Sequence, residues 1–253
     1  DDLDGVKVIT IRRPEAMNAL HDELNDEILA LIMRHENDPQ VVGFVITGYG
    51  PRAFCAGADI GRFPAMLGDA LAAAQYARDC SRLLVHLDAM RKPVVAAVNG
   101  MALGGGFELV MRCHAIVAQR DAWLQLPEVT LGIVPGIGAM VVPYRRWPEA
   151  AEVFHGMLRR AQRLAAVRAH EAGIVDGLAD NYAKLVQQAV ARVHELARKP
   201  RAGVDGAVAI AALAPVECTA ANGQVLSREV IGIIEQAVQE AAQAPTLAAG
   251  LEI

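Results

Sequence analysis

The sequence predicts an α/β protein, and three observations carry that expectation. Short β-branched runs alternate with longer stretches of helical period along the first half of the chain. Hydrophobic residues make up 53% of the 253 residues and aromatic ones only 4%, so the core is built from small aliphatic side chains, which suits helices packed closely on sheets. "VVGFVITG" (residues 41–48) is a nearly continuous apolar run, as in a parallel strand buried on both faces.

The elements follow in order. "VKVITI" (residues 6–11) alternates as a strand does and is stopped by Pro14; residues 21–36 place Leu24, Ile28, Leu31 and Ile32 at helical spacing. After the strand at 41–48 comes a loop of glycine and small residues. Residues 69–87 carry Leu71, Ala74, Ala77, Leu83, Leu84 and Leu87 on a helical period, and Pro93 precedes the strand "VVAAV" at 94–98. A helix over 105–113, a strand over 115–118 and a short strand over 122–126 continue the pattern. Repeated strands and helices without a dinucleotide fingerprint suggest a spiral. From Pro135 the chain reads as mostly helical, over 148–158, 165–172, 181–197 and 222–242. "RKPRAGVDG" (residues 198–206) marks the boundary between a core, 1–197, and a helical C-terminal region, 198–253.

Composition excludes several classes. A formal charge of −5 with no basic stripe argues against nucleic acid as the main partner. Residues 1–6 are acidic rather than signal-like, and the longest apolar stretches are broken by Asn99 and Glu108, so the expectation is a soluble, cytoplasmic protein without a membrane partner. Cys55, Cys80, Cys113 and Cys218 lack CxxC pairing and the seven histidines lack ligand spacing, so reduced cysteines and no metal are expected. Neither serine, Ser81 or Ser227, sits in GxSxG. "PGIGAMV" holds Gly136 and Gly138 without a third fingerprint glycine, and no GxxxxGK[ST] occurs.

Two small-residue loops hold the chemistry. In "NGMALGGGFEL" (residues 99–109) the glycines stand ahead of a helix, where backbone N–H groups and the helix dipole favour an oxyanion; Gly105 and Gly106 are the candidate donors, although a tight turn or close packing would also select glycine. In "RAFCAGADI" (residues 52–60), Ala56, Gly57 and Ala58 leave backbone groups uncovered, as a second oxyanion donor requires, while Asp59 suits a helix cap.

"NAL" (residues 18–20), "AFCAGADI" (53–60), "KPVVAAVNGMALGGGFEL" (92–109), "PEVTLGIVPG" (127–136) and "AHEAGIVDGL" (169–178) resemble, in order and spacing, the crotonase family of enoyl-CoA hydratases and isomerases. The resemblance runs from about Val6 to Leu178. It implies a right-handed spiral of ββα units, a helical C-terminal region that mediates trimers or dimers of trimers, and an acyl-CoA thioester bound between them. Coenzyme A then belongs to the substrate, and no separate cofactor is expected. By position the resemblance assigns the oxyanion amides to Ala58 and Gly105, water activation to Glu108 and protonation at Cα to Glu128. It adds Ala56, Gly57, Asp59, Arg62, Gly104 and Gly136 as substrate-binding positions, with the Gly136 amide directed at the Glu128 region. Two carboxylates set close together cannot both ionise easily, so one is expected to have a raised pKa.

The chain departs from the family pattern at Cys113 and His114, where many members have "CD", and at "GAMVVPYRR" (residues 138–146), where "GGTQRL" is usual. Gly61 stands where hydratases often carry a lysine for CoA phosphate, which leaves Arg62, or Arg12 and Arg13, to supply that charge unless they are simply solvated. The chain stops near "AAGLEI" (residues 248–253), short of the last helices of the family, as a fragment or an excised domain fused to a 3-hydroxyacyl-CoA dehydrogenase would. The activity expected is hydration of a 2-enoyl-CoA. The alternatives are an enoyl-CoA isomerase, which needs a single acid/base, and a silent acyl-CoA-binding subunit.

Overall fold

In the computed structural model, which describes residues 1–66, 68–199, 203–210 and 213–253, the apolar runs pair into two sheets. The larger places β1 (Asp2–Leu3), β2 (Val6–Ile11), β3 (Gly43–Gly48), β5 (Val94–Val98), β7 (Ala115–Gln119) and β10 (Gly177–Ala179) side by side in that order. The smaller places β4 (Ala53–Cys55), β6 (Met101–Leu103), β8 (Trp123–Gln125) and β9 (Leu164–Ala165) side by side. All neighbours are parallel except β1 with β2 and β8 with β9. Odd strands β3, β5 and β7 feed the large sheet and even strands β4, β6 and β8 the small one, so the chain steps between sheets at each repeat. α1 (Asp22–His35), α2 (Ala70–Ala89) and α3 (Gly105–Arg112) complete the ββα units of the spiral.

The large sheet is apolar on both faces because both are covered. Phe44, Ile46, Val94, Ala96, Val98 and Ile116 face the main core, whereas Val45, Val95, Ala97 and Val117 face the other way onto α7 (Tyr182–Leu196). Leu185, Ala189 and Val193 lie at four-residue spacing along α7 and are the stripe that packs there. This is why the strand runs read as continuous rather than alternating. α4 (Val142–Arg146), α5 (Ala151–Arg160), α6 (Ala166–Glu171), α8 (Arg228–Gln243) and α9 (Leu247–Leu251) form the helical second half.

The strands at 6–11 and 94–98 have the expected bounds, and the helices over 21–36, 69–87, 105–113 and 181–197 are present within two residues at each end. The helix expected from 222 begins instead at Arg228, with the Ser227 hydroxyl accepting from the Val230 amide. The preceding residues form a bridge between Thr219 and Val225. Helix 148–158 opens with a 3-10 turn, Pro148–Ala150, and runs on to Arg160. The "RKPRAGVDG" boundary falls partly on 200–202, outside the described residues. Among the described residues no helix is long and apolar enough to cross a membrane.

Candidate active site

The site is built where β4 and β6 end. Pairing of these two strands sets the loop at 56–59 beside the turn at 104–106. Two buried asparagines hold β4 in place. Asn18 donates to the Tyr49 and Ala53 carbonyls (3.0 and 2.9 Å), and Asn99 donates to the Gly50 and Ala53 carbonyls (2.6 and 3.2 Å) while accepting from the Gly48 amide (2.9 Å).

Ala58 forms a parallel bridge with Leu20 through its neighbours: Leu20 N–H donates to the Gly57 carbonyl (2.8 Å) and Asp59 N–H to the Leu20 carbonyl (2.7 Å). In extended backbone successive amides point to opposite sides, so the Ala58 N–H faces away from that pairing. The Gly105 N–H is the first amide of α3 and has no intrahelical acceptor. Among the described residues neither amide has a hydrogen-bond partner. They lie close together, since a Cβ built on Gly105 would stand 3.5 Å from the Ala58 nitrogen, and one built on Gly57 would stand 3.6 Å from the Gly105 nitrogen.

The three glycines serve three ends. Gly104 has φ +47°, and a Cβ there would come within 2.5 Å of Glu128 Oε1. Gly105 keeps the space between the amides open. A Cβ on Gly106 would overlap the Cys55 carbonyl and side chain at 2.5–2.7 Å, so this glycine serves packing rather than donation.

Glu108, on the first turn of α3, and Glu128, opening a 3-10 turn at Glu128–Leu131, are both buried. Glu108 Oε1 accepts from the Ile137 amide (3.1 Å) and the Ala139 amide (2.8 Å). Glu128 Oε2 is buried without a partner among the described residues. Burial pushes both carboxyls up from the usual range; the two amides and Arg112 oppose the shift at Glu108, whereas the neighbouring Glu108 adds to it at Glu128. The pair is therefore polarised, with Glu108 the easier to ionise and Glu128 the easier to keep protonated.

Both carboxyls face a cavity of about 180 Å³ that Ala56, Gly57, Ala58, Gly104, Gly105 and Gly136 also line. Its remaining wall is largely apolar, including Ile60, Phe63, Tyr76, Leu131, Ile133 and Val134. Asp59 and Arg62 are not in that lining. Asp59 pairs with Arg13 (2.8 Å) and accepts from the Gly61 amide (3.1 Å), which is the capping role. Arg62, half-exposed, pairs with Glu23 (2.9 Å) and Asp22 (3.3 Å). Arg12 stacks on Tyr49 at 4.6 Å. Among the described residues the Gly136 amide makes no hydrogen bond to Glu128; the amides of this loop that donate to a carboxylate are those of Ile137 and Ala139, and the carboxylate is Glu108. Gly138 at φ +132° turns the loop so that both amides face one oxygen, and its position after Gly136 is the sequence signal that would have found them.

His21, Asp22 and Glu23 bring one ligand atom each within 4.8 Å of one another. Their first duties lie elsewhere, His21 capping α1 at the Leu24 amide (3.2 Å) and the two acids pairing with Arg62.

A spiral of ββα units on two sheets, closed around two convergent amides and two buried carboxyls, defines a crotonase-fold protein. The chain belongs to the enoyl-CoA hydratase/isomerase family, whose model matches residues 2–225. It is 39% identical over 203 residues to a protein named fatty acid oxidation complex subunit alpha from Idiomarina loihiensis, covering 78% of this chain and 28% of that one. It is 41% identical over 133 residues to the short-chain-enoyl-CoA hydratase of Clostridium acetobutylicum, covering 53% and 50%, and 34% identical over 195 residues to a probable enoyl-CoA hydratase of Bacillus subtilis, covering 77% and 73%. The chain thus spans from about a quarter to three quarters of the length of these relatives. Among solved structures it is similar to an enoyl-CoA hydratase from Polaromonas, with a TM-score of 0.71 at 26% identity over 100% of this chain and 86% of that one.

Proposed function

We propose that the protein hydrates a 2-enoyl-CoA thioester to the 3-hydroxyacyl-CoA. The observation that carries this reading is one cavity lined at once by two polarised carboxyls and two unpaired amides. The thioester oxygen accepts from the Ala58 and Gly105 N–H groups, which stabilise the charge that develops there as the enolate forms. Ionised Glu108 takes a proton from water as the water oxygen bonds to Cβ, and protonated Glu128 delivers its proton to Cα. The C=C π bond, one O–H bond of water and the Glu128 O–H bond break, C–O, C–H and Glu108 O–H bonds form, and transfer of the proton gained by Glu108 to Glu128 restores the pair.

Relatives named as hydratases support the reading. A single acid/base would suffice for isomerisation and would leave the second carboxyl without work. Arg62, which lies in sequence between the lining residues Ile60 and Phe63, is proposed to meet the CoA phosphates by exchanging its carboxylate partners. A homotrimer or dimer of trimers assembled through region 198–253, a cytoplasmic setting and a 3-hydroxyacyl-CoA dehydrogenase partner complete the proposal; the similarity to a fatty acid oxidation subunit supports the last. No cofactor beyond the substrate's own CoA enters it. The test is to assay 2-enoyl-CoA hydration against 3-enoyl-CoA isomerisation. Hydration should dominate and Glu108→Gln should lower it by about 10²- to 10⁴-fold; unchanged hydration in that variant would sink the assignment, and binding without turnover would favour a silent acyl-CoA-binding subunit.

A further inference from the structure

We propose that Arg112 is a positioning residue that sets the ionisation of Glu108 by fixing the loop whose amides hold it. Arg112 stands four residues after Glu108, on the same face of α3, and is 1% exposed; apart from Glu108 it is the one charged residue of that helix. Its Nε donates to both Asp88 oxygens at 3.0 Å and its Nη2 also donates to Asp88, near the end of α2. Its Nη1 donates to the Ile137 carbonyl at 3.0 Å. Ile137 is thus gripped at both ends, its carbonyl by Arg112 and its amide by Glu108. Asp88 anchors the guanidinium, the guanidinium anchors the peptide, and the peptide orients the two amides that meet Glu108.

A second observation points the same way. A Cβ on Gly138 would stand 2.7 Å from Arg112 Nη1, so the loop reaches the guanidinium only because residue 138 is glycine. Among the described residues, the charged and titratable groups around Glu108 are Arg112 on its own helix with its partner Asp88 on α2, Glu128 on the facing 3-10 turn, and Tyr76 and Cys80 on α2. Of these groups only Arg112 favours the ionised form, by a charge that Asp88 partly offsets and through the loop it holds.

The inference deepens the hydratase reading and rests on it for its kinetic consequence, but its primary test does not need substrate. Carbon-13 NMR titration of the glutamate carboxyls, with the Glu108 signal assigned by its loss in Glu108→Gln, should show the Glu108 pKa displaced upward in Arg112→Met and less so in Arg112→Lys, which keeps the charge and one donor. Asp88→Asn releases the guanidinium and also removes a negative charge, a loss that by itself would lower the Glu108 pKa, so the upward displacement expected there would come from the loosened loop alone. In the hydration assay the acidic limb of the pH–kcat profile should move the same way, with kcat at neutral pH down about tenfold and KM little changed. An unmoved Glu108 titration in folded Arg112→Lys and Asp88→Asn would overturn the proposal even if Arg112→Met failed to fold. Variants that show the titration shift while wild-type protein shows no hydration would instead overturn the hydratase reading alone.

Discussion

At the scale of the residue, the informative position is Gly105, because its neighbours could be explained by space alone. Gly104 yields to Glu128 and Gly106 to Cys55, whereas a methyl on Gly105 would make only ordinary contacts, 3.5 Å from the Ala58 nitrogen and 3.5 Å from Ile137 Cδ1. The fold tolerates a side chain there; the space between the amides does not. Gly105→Ala should therefore fold with near-native stability and lose turnover, since its methyl would occupy the place proposed for the thioester oxygen. Gly105→Pro removes the N–H at the first helical position, where proline is tolerated by a helix. Each is expected to lose about 10²- to 10³-fold in kcat, the usual cost of one oxyanion donor. Thermal melts and a hydration assay check both, and a folded variant with near-normal turnover would return the glycine to a packing role.

At the scale of the element, legibility followed length and period. α1, α2, α7 and the strands β2 and β5 could be read because each repeats an apolar position often enough for a period to show. β4 and β6 could not: each is three residues long, embedded in small residues, and exists because its partner strand exists. The loops that carry the site were legible by composition and resemblance, but the pairing that joins them was not. The buried asparagines were equally silent, since the hydrogen bonds by which they hold β3, β4 and the turn between them span 31 to 52 residues of chain. Asn99→Ala should expose this dependence. It leaves the buried Gly48 amide without its partner and the Ala53 carbonyl with Asn18 alone, at a cost of about 1–3 kcal/mol. It should also loosen the register of β4, so that kcat falls by more than the loss of folded protein explains. Denaturant melts with kcat normalised to folded fraction check this; a stable variant with full kcat would show that Asn18 alone holds the strand.

At the scale of the whole molecule, the two buried carboxyls make function and stability pull against each other. In the folded state both lose protons less readily than in the unfolded chain, where a glutamate titrates near pH 4.3, on the order of the model-peptide value. The folded protein therefore binds more protons, and the pair's contribution to stability is complete below that pH and is lost as pH rises through the folded-state values. Surface acids such as Asp59 and Asp180, held below the usual carboxylate range by hydrogen bonds from Arg13 and Lys184, act in the opposite sense and lose their contribution only as pH falls. The two windows are separable, so melting temperature measured from mildly acid to mildly alkaline pH should fall on the alkaline side because of the pair. Glu128→Gln removes the carboxyl whose rise has the added push of its neighbour and whose Oε2 has no partner among the described residues. The variant should melt above wild type at alkaline pH, with the gap closing as pH drops toward 4.3, about where the unfolded carboxyl protonates. Its hydration rate should fall by about 10²- to 10⁴-fold, as expected for loss of the acid proposed to protonate Cα. A variant that melts below wild type across the whole range would mean that ionised Glu128 is stabilised in the fold, and the assignment of acid to Glu128 and base to Glu108 would have to be exchanged.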